Sequence, residues 1–315
     1  MTDDDPLAGL DDIPWADLQH AYNSAFDVPD LLRAIQSGTQ VGRLLPSALL
    51  ADRIVHQGTR YEAARYAVPF LVRMAFDTTI DQRHRIVALL ADIAIGLDNN
   101  YLPNGYDPEE DRAYLALMRT ESADWPQWIA ETPNEQQREM REKSCAQVML
   151  DAEASVLAYD AVRAELPTLD SLLHADDIDV RIATAYLLAW FPESAEASIP
   201  ALTEFVVSEK SAGAAAAAIV ALGLIGDSAT IPFVQQYLDD SAAELRWASV
   251  FALTRLGMAD TTFRDISAEP GEDQSENPVT TMPYLNGSCT YRQLAELALE
   301  HAPRPDTSGT SGTAG

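Results

Sequence analysis

Three segments led by an apolar residue and proline recur through the C-terminal half of the chain. Leu166-Pro167, Ile199-Pro200 and Ile231-Pro232 set the prolines 33 and 32 residues apart. A fixed period of that size marks a tandem array, in which each unit is too small to bury its own apolar face and stacks on the next. Counting from the prolines gives the content of the unit. A short first helix (PTLDSLLH, PALTEFVV, PFVQQYL) is expected to open on the proline, whose missing N–H is not needed in a first turn. A second helix follows. Ala183, Ala216 and Ala248 share one register position in it, and Leu188, Ala221 and Leu253 share another. Phe191, Leu224 and Leu256 share a third. Small and apolar residues at helical spacing describe a helix packed between neighbours.

The same register fits the N-terminal part. Val28-Pro29 and Val68-Pro69 lie 40 residues apart and put Arg43 and Arg83 where two C-terminal units have Arg181 and Arg246. The middle C-terminal unit has Ala214 there. An arginine at this position is expected to pair with acidic groups or carbonyls of the adjoining turn. The aliphatic-Arg pair, the alanines after it and the Pro-led first helix resemble HEAT repeats, α-solenoid units that serve mostly as scaffolds or adaptors. IPWADLQHAYNSAFDVPDLL, HQGTRYEAARYAVPFL and VLAYDAVRAELP further resemble a group of HEAT-repeat proteins common in actinobacteria, over roughly residues 10–300. The resemblance implies an all-α fold, an α-solenoid of HEAT-like helical hairpins with capping helices at both ends. It carries no chemistry.

The expected organisation follows from where the pattern breaks. Residues 1–12 read as a disordered acidic N-terminus, and 13–96 as an N-terminal cap with HEAT-like repeats. The cap is expected to be a short helix from Ile13 through His20 and Tyr22, with Trp15 plugging the open end of the array. Residues 97–165 hold a polar loop, a Trp-containing insertion and a long bridging helix; 166–258 hold three HEAT-like repeats. A mobile insertion (259–288), a C-terminal capping helix (289–302) and a disordered tail (303–315) complete the chain.

Charge narrows the partners. There are 21 Lys+Arg against 49 Asp+Glu, a net charge of −28, and only Lys143 and Lys210 are lysines. Such a surface opposes duplex nucleic acid and anionic membranes, whose binding rests on phosphate neutralisation. It suits a basic protein partner. One stretch runs the other way: arginines 43, 53, 60, 65, 73, 83 and 85 stand against Asp52, Glu62, Asp77 and Asp81. No apolar run reaches membrane-spanning length, the acidic N-terminus is unlike a signal peptide, and Cys145 and Cys289 have neither disulfide-framework nor zinc spacing. Together these place the protein in the cytoplasm.

Catalytic signatures are missing from the sequence. His20, His56, His84, His174 and His301 show no metal spacing and no HExxH, and there is no GxSxG, P-loop or GxGxxG. The acids of residues 97–108 do not fit a calcium-binding loop. No metal or cofactor is expected. The best candidate binding site is His56, Gln57, Gly58, Thr59, Arg60, Tyr61, Glu62 and Arg65. Thr59 and Glu62 have capping-box spacing, so a helix is expected to start at Thr59, with Arg60 and Arg65 beside its N-terminal amides as an anion receptor. The opposing reading gives Thr59 and Glu62 a capping role only and pairs Arg60 with Asp52. Trp125 and Trp128, in a Pro-flanked insertion, form a second candidate partner surface, against burial on the long helix. The chain thus reads as a non-catalytic scaffold or adaptor binding a basic protein. The alternatives are a binder of, or enzyme on, an anionic metabolite at the His56–Glu62 stretch, and, further off, a helical-repeat DNA-repair enzyme.

Overall fold

A computed structural model describes residues 5–39, 45–258, 260–268 and 283–302. Helices α1 (Val28–Ser37) and α2 (Pro46–Ile54) form one hairpin, and α3 (Glu62–Phe76) and α4 (Arg83–Ile95) the next. Then come α5 (Pro108–Glu121), α6 (Trp125–Ala130) and α7 (Glu135–Leu169). The C-terminal part contains α8 (Ile178–Leu188), α9 (Ala195–Ser208), α10 (Ala212–Ile225), α11 (Ile231–Val234) and α12 (Ala243–Arg255). Two further helices, α13 (Phe263–Ala268) and α14 (Tyr291–His301), end the described fold. The second helices stack side by side in one row, α2–α4–α8–α10–α12–α14. Behind them α1 meets α3, α3 meets α7, and the 3₁₀ turn Asp170–His174 that follows α7 meets α9. The fold is an all-α solenoid.

The prolines mark the period without always starting a helix. Pro29 and Pro232 sit in first turns, but Pro69, Pro167 and Pro200 lie inside α3, α7 and α9. Each interior proline forfeits one main-chain hydrogen bond. Helix-forming residues precede it (Glu62-Ala-Ala, Ala195-Glu-Ala), and the helix packs in the array regardless of that loss. At Pro167 the result is one helix of 35 residues, which joins the long helix to the first repeat and packs on α3, α4 and α5. Arg112–Asp160 (3.1 Å) and Arg119–Glu153 (2.9 Å) pin α5 antiparallel along it.

The recurring arginine closes turns. Arg181 donates to the carbonyls of Ala175 (2.9 Å) and Asp176 (3.0 Å) and to Glu209 (2.7 Å). Arg246 donates to those of Asp240 (2.8 Å) and Ser241 (3.1 Å), and Arg83 to Ala75 (3.1 Å). Arg43 lies outside the described residues. In α10 every residue from Ala214 to Ile225 is buried, because α8, α9 and α12 all pack on it. A Cβ at Gly223 would sit 2.5 Å from the Ala252 Cα, so α10 and α12 approach as only glycine permits.

Both ends differ from expectation. Residues 5–12 are folded rather than disordered: Leu10 is buried, and Arg73 donates to the carbonyls of Pro6 (2.8 Å) and Ala8 (3.0 Å). Trp15 is a buried plug against Tyr66 and Phe70, its indole N–H donating to Leu10 at 2.8 Å. The cap helix expected through Tyr22 is instead a 3₁₀ turn (Trp15–Asp17) and a small hairpin, β1 (Gln19–His20) with β2 (Asn23–Ser24). In the segment expected to be mobile, 259–288, Phe263 and Tyr284 are buried. Its residues 259 and 269–282 lie outside the described residues, as do 1–4 and the tail 303–315. Helix α14 packs on α12 behind a capping box of Thr290 and Gln293.

Candidate functional site

Between α2 and α3 the chain forms a second small hairpin, β3 (Val55–His56) paired with β4 (Thr59–Arg60). The two turn residues, Gln57 and Gly58, both have positive φ (52° and 87°), as a tight turn matched to strand twist requires. Thr59 is therefore a strand residue and does not start a helix. Helix α3 begins at Glu62, Tyr61 is its N-cap without a side-chain cap, and the Tyr61 N–H donates to Ile54 O at 3.0 Å. The capping box fails because Glu62 is turned to the other hairpin, where Oε2 accepts the Gln19 N–H at 3.3 Å.

Arg60 is buried, 5% exposed, and points inward. Its Nη1 donates to the Ala94 carbonyl (2.9 Å) and its Nη2 to Asp111 Oδ2 (2.8 Å), which also accepts the Tyr106 hydroxyl (2.6 Å). Its partner is thus Asp111 on α5, not Asp52. Burial raises the Tyr106 hydroxyl pKa far above its ordinary range, so it stays a donor to Asp111. Arg65 lies over the Tyr66 ring at 4.6 Å and donates to its hydroxyl at 2.8 Å. The guanidinium expected at the centre of an anion receptor is committed inside the fold.

What gathers at the surface is a network joining the two hairpins. His56 Nδ1 lies 3.0 Å from Asp52 Oδ1, and the Tyr22 hydroxyl donates to Asp52 Oδ2 at 3.0 Å. That hydrogen bond is the main reason the Tyr22 pKa rises. Arg53 donates to Asp52 (3.1 Å) and Asp27 (3.0 Å) and lies over the Tyr22 ring at 4.6 Å. His20 Nδ1 accepts the Tyr22 N–H (2.9 Å), so its Nε2 carries the proton and donates to Asp27 (2.8 Å). Tyr22 and His56 meet edge to face at 5.5 Å. Tyr22, part of this network, is 48% exposed, and nearby in the chain Phe26 is 69% exposed.

Of the residues singled out in the sequence, His56 joins this network, whereas Tyr22, Phe26, Asp27, Asp52 and Arg53 were not among the candidates for a site. The only local hint is a histidine at the end of each hairpin's first strand, His20 and His56, and strands of two residues leave no alternation to read. At the second candidate, Trp125 is half-buried and Trp128 is 47% exposed, so burial on the long helix does not hold for Trp128. Arg141 of α7 lies over its ring at 3.9 Å.

An open cleft of about 380 Å³ lies between Leu173, His174, Arg181, Phe205 and Lys210, where Arg181 is held by Glu209. Among the described residues no group of three or more His, Cys, Asp or Glu could hold a metal ion, and no helix is long and apolar enough to cross a membrane.

Residues 165–254 match the family of HEAT repeats. That stretch runs from the end of α7 to α12, so the HEAT array carries the C-terminal part of the solenoid. No curated protein and no solved structure matches the chain. HEAT arrays commonly mediate protein–protein interaction along their exposed surfaces.

Proposed function

We propose that the chain is a non-catalytic, protein-binding HEAT solenoid of the cytoplasm whose N-terminal edge docks a basic partner. The observation that carries this reading is a pair of exposed aromatics on one short stretch, Tyr22, held by Asp52 and Arg53, and Phe26, next to Asp27 in the chain. Partly exposed aromatic anchors on a preorganised base are what interface hot spots are made of. Charge supplies the sign of the partner. Between residues 5 and 53 the described chain has Asp5, Asp11, Asp12, Asp17, Asp27, Asp30 and Asp52 against Arg33 and Arg53. Arg33 pairs with Asp11 and Asp30, and Arg53 with Asp27 and Asp52. Arg53 already engages Tyr22, Asp27 and Asp52, so an incoming Lys or Arg side chain would meet the exposed Phe26 ring within the acidic excess of this edge.

The anionic-metabolite reading of His56, Gln57, Gly58, Thr59, Arg60, Tyr61, Glu62 and Arg65 requires Arg60 to leave Asp111 and Ala94, and that inward geometry weighs against it. Membership of the actinobacterial HEAT-repeat group belongs to the same proposal, as does the second partner surface at Trp125 and Trp128.

The test is capture from native lysate at low salt, with wild type beside a Tyr22→Ala/Phe26→Ala variant shown to melt alike. A basic protein held by wild type, released by salt and lost from the variant is the expected result. Equal retention by both proteins would refute the site.

A further inference from the structure

The C-terminal chain does more than add α14 to the row. Before α14 begins, residues 283–290 lie against two second helices, α8 and α10. There the Leu285 N–H donates to Asp98 Oδ2 at 2.6 Å, in the turn that follows α4. Tyr284 is fully buried, packed edge to face on Tyr186 of α8 at 5.1 Å and beside Trp190 at 6.3 Å. Its hydroxyl donates to the Ala217 carbonyl of α10 at 3.1 Å. Tyr291 then donates to the Gly213 carbonyl of α10 at 2.8 Å. This strap lies across the row of second helices, the row that an array of this kind leaves open for partners.

We propose that the face of α8 and α10 between Asp98 and Gly213 is a peptide-binding groove, which residues 283–288 fill in cis as a pseudo-ligand. The partner it fits is a turn with a tyrosine followed by a free backbone N–H, because those are the two features the groove recognises: an aromatic slot ending on a helix carbonyl, and a buried carboxylate. The strap carries a mark of a contact made at a cost. Leu285 has φ +53°, a conformation leucine rarely adopts, which the Asp98 and Tyr284 anchors over-determine. Nothing in this inference depends on the N-terminal edge.

The experiment is binding of a fluorescent peptide with the sequence of residues 282–288 to the full chain, wild type beside Tyr284→Ala. Wild type should bind it at least about tenfold more weakly than the variant, because the groove is filled in cis. Equal binding to both, or no binding to a folded variant, would overturn the proposal. Native-state hydrogen exchange on wild type decides the case if the variant does not fold. The amides of 284–288 should exchange at least about tenfold faster than those of α10, reporting an opening short of global unfolding. Exchange of both at the same rate would make the strap a permanent part of the core and overturn the proposal.

Discussion

Arg60 shows how a residue with every local mark of a binding group becomes a structural one. Its partner Asp111 lies 51 residues further along the chain, at the start of α5, and nothing near HQGTRYE announces it. Burial of the guanidinium and a second anchor on the Ala94 carbonyl fix its direction. Arg60→Met should cost about 2–3 kcal/mol in urea denaturation, somewhat less than breaking a fully buried pair, because Asp111 keeps 26% exposure. No loss would mean that the pair is not formed. The turn arginines were legible for the opposite reason: Arg181 and Arg246 reach carbonyls five and six residues back, so the recurrence of the residue contains the recurrence of the contact. Asp92, which the sequence did not single out, gives a pH dependence. Burial, and then the nearby charge of Asp98, raise its carboxyl from 3.8 to about 7. Between those values the folded chain holds a proton that the unfolded chain has released, so stability falls as pH rises from about 4 to 7. Asp92→Asn should flatten this fall in thermal melts taken across that range. A wild-type profile already flat there would contradict a raised Asp92 carboxyl that keeps its proton in the fold.

At the scale of elements, the hairpin β3–β4 marks the limit of local reading. Thr59 and Glu62 have the spacing of a helix start, and the sequence offers no counter-signal stronger than Gln57-Gly58. What decides the matter is the long-range fit of the hairpin tip on the end of α4. Gly96 ends that helix with φ +78°, and a Cβ on it would lie 2.3 Å from Gly58 O. Both the backbone conformation and the close approach exclude a side chain. Gly96→Ala should therefore destabilise the fold by about 2–4 kcal/mol and loosen the hairpin, seen as faster amide exchange at Thr59 and Tyr61. A loss under about 0.5 kcal/mol would show that the tip does not dock there. The helical period, by contrast, needed no long-range information. Ala183, Ala216, Ala248 and their neighbours recur because α8, α10 and α12 each pack between one row helix on either side, and that demand is written at a fixed interval.

Over the whole molecule, the period predicts a row of helices but not which parts of its surface stay open. The strap over α8 and α10 depends on Asp98 meeting Leu285, 187 residues away. The open N-terminal edge depends on two hairpins, each too short to show a strand pattern, meeting through Asp27, Arg53 and Asp52. Charge was legible at once, since it needs only counting; its use was not, because the arginine-rich stretch from Arg53 to Arg83 is spent on internal contacts. The proposed docking of a partner on Tyr22 and Phe26 belongs to this scale, since it brings together both hairpins and the acidic edge. The most direct test is the affinity of the captured basic partner for purified wild type, Tyr22→Ala/Phe26→Ala and Trp128→Ala, measured by titration calorimetry. A loss of about tenfold or more in the Tyr22/Phe26 variant, with Trp128→Ala close to wild type, is the predicted result. A loss confined to Trp128→Ala, with the Tyr22/Phe26 variant unchanged, would contradict it.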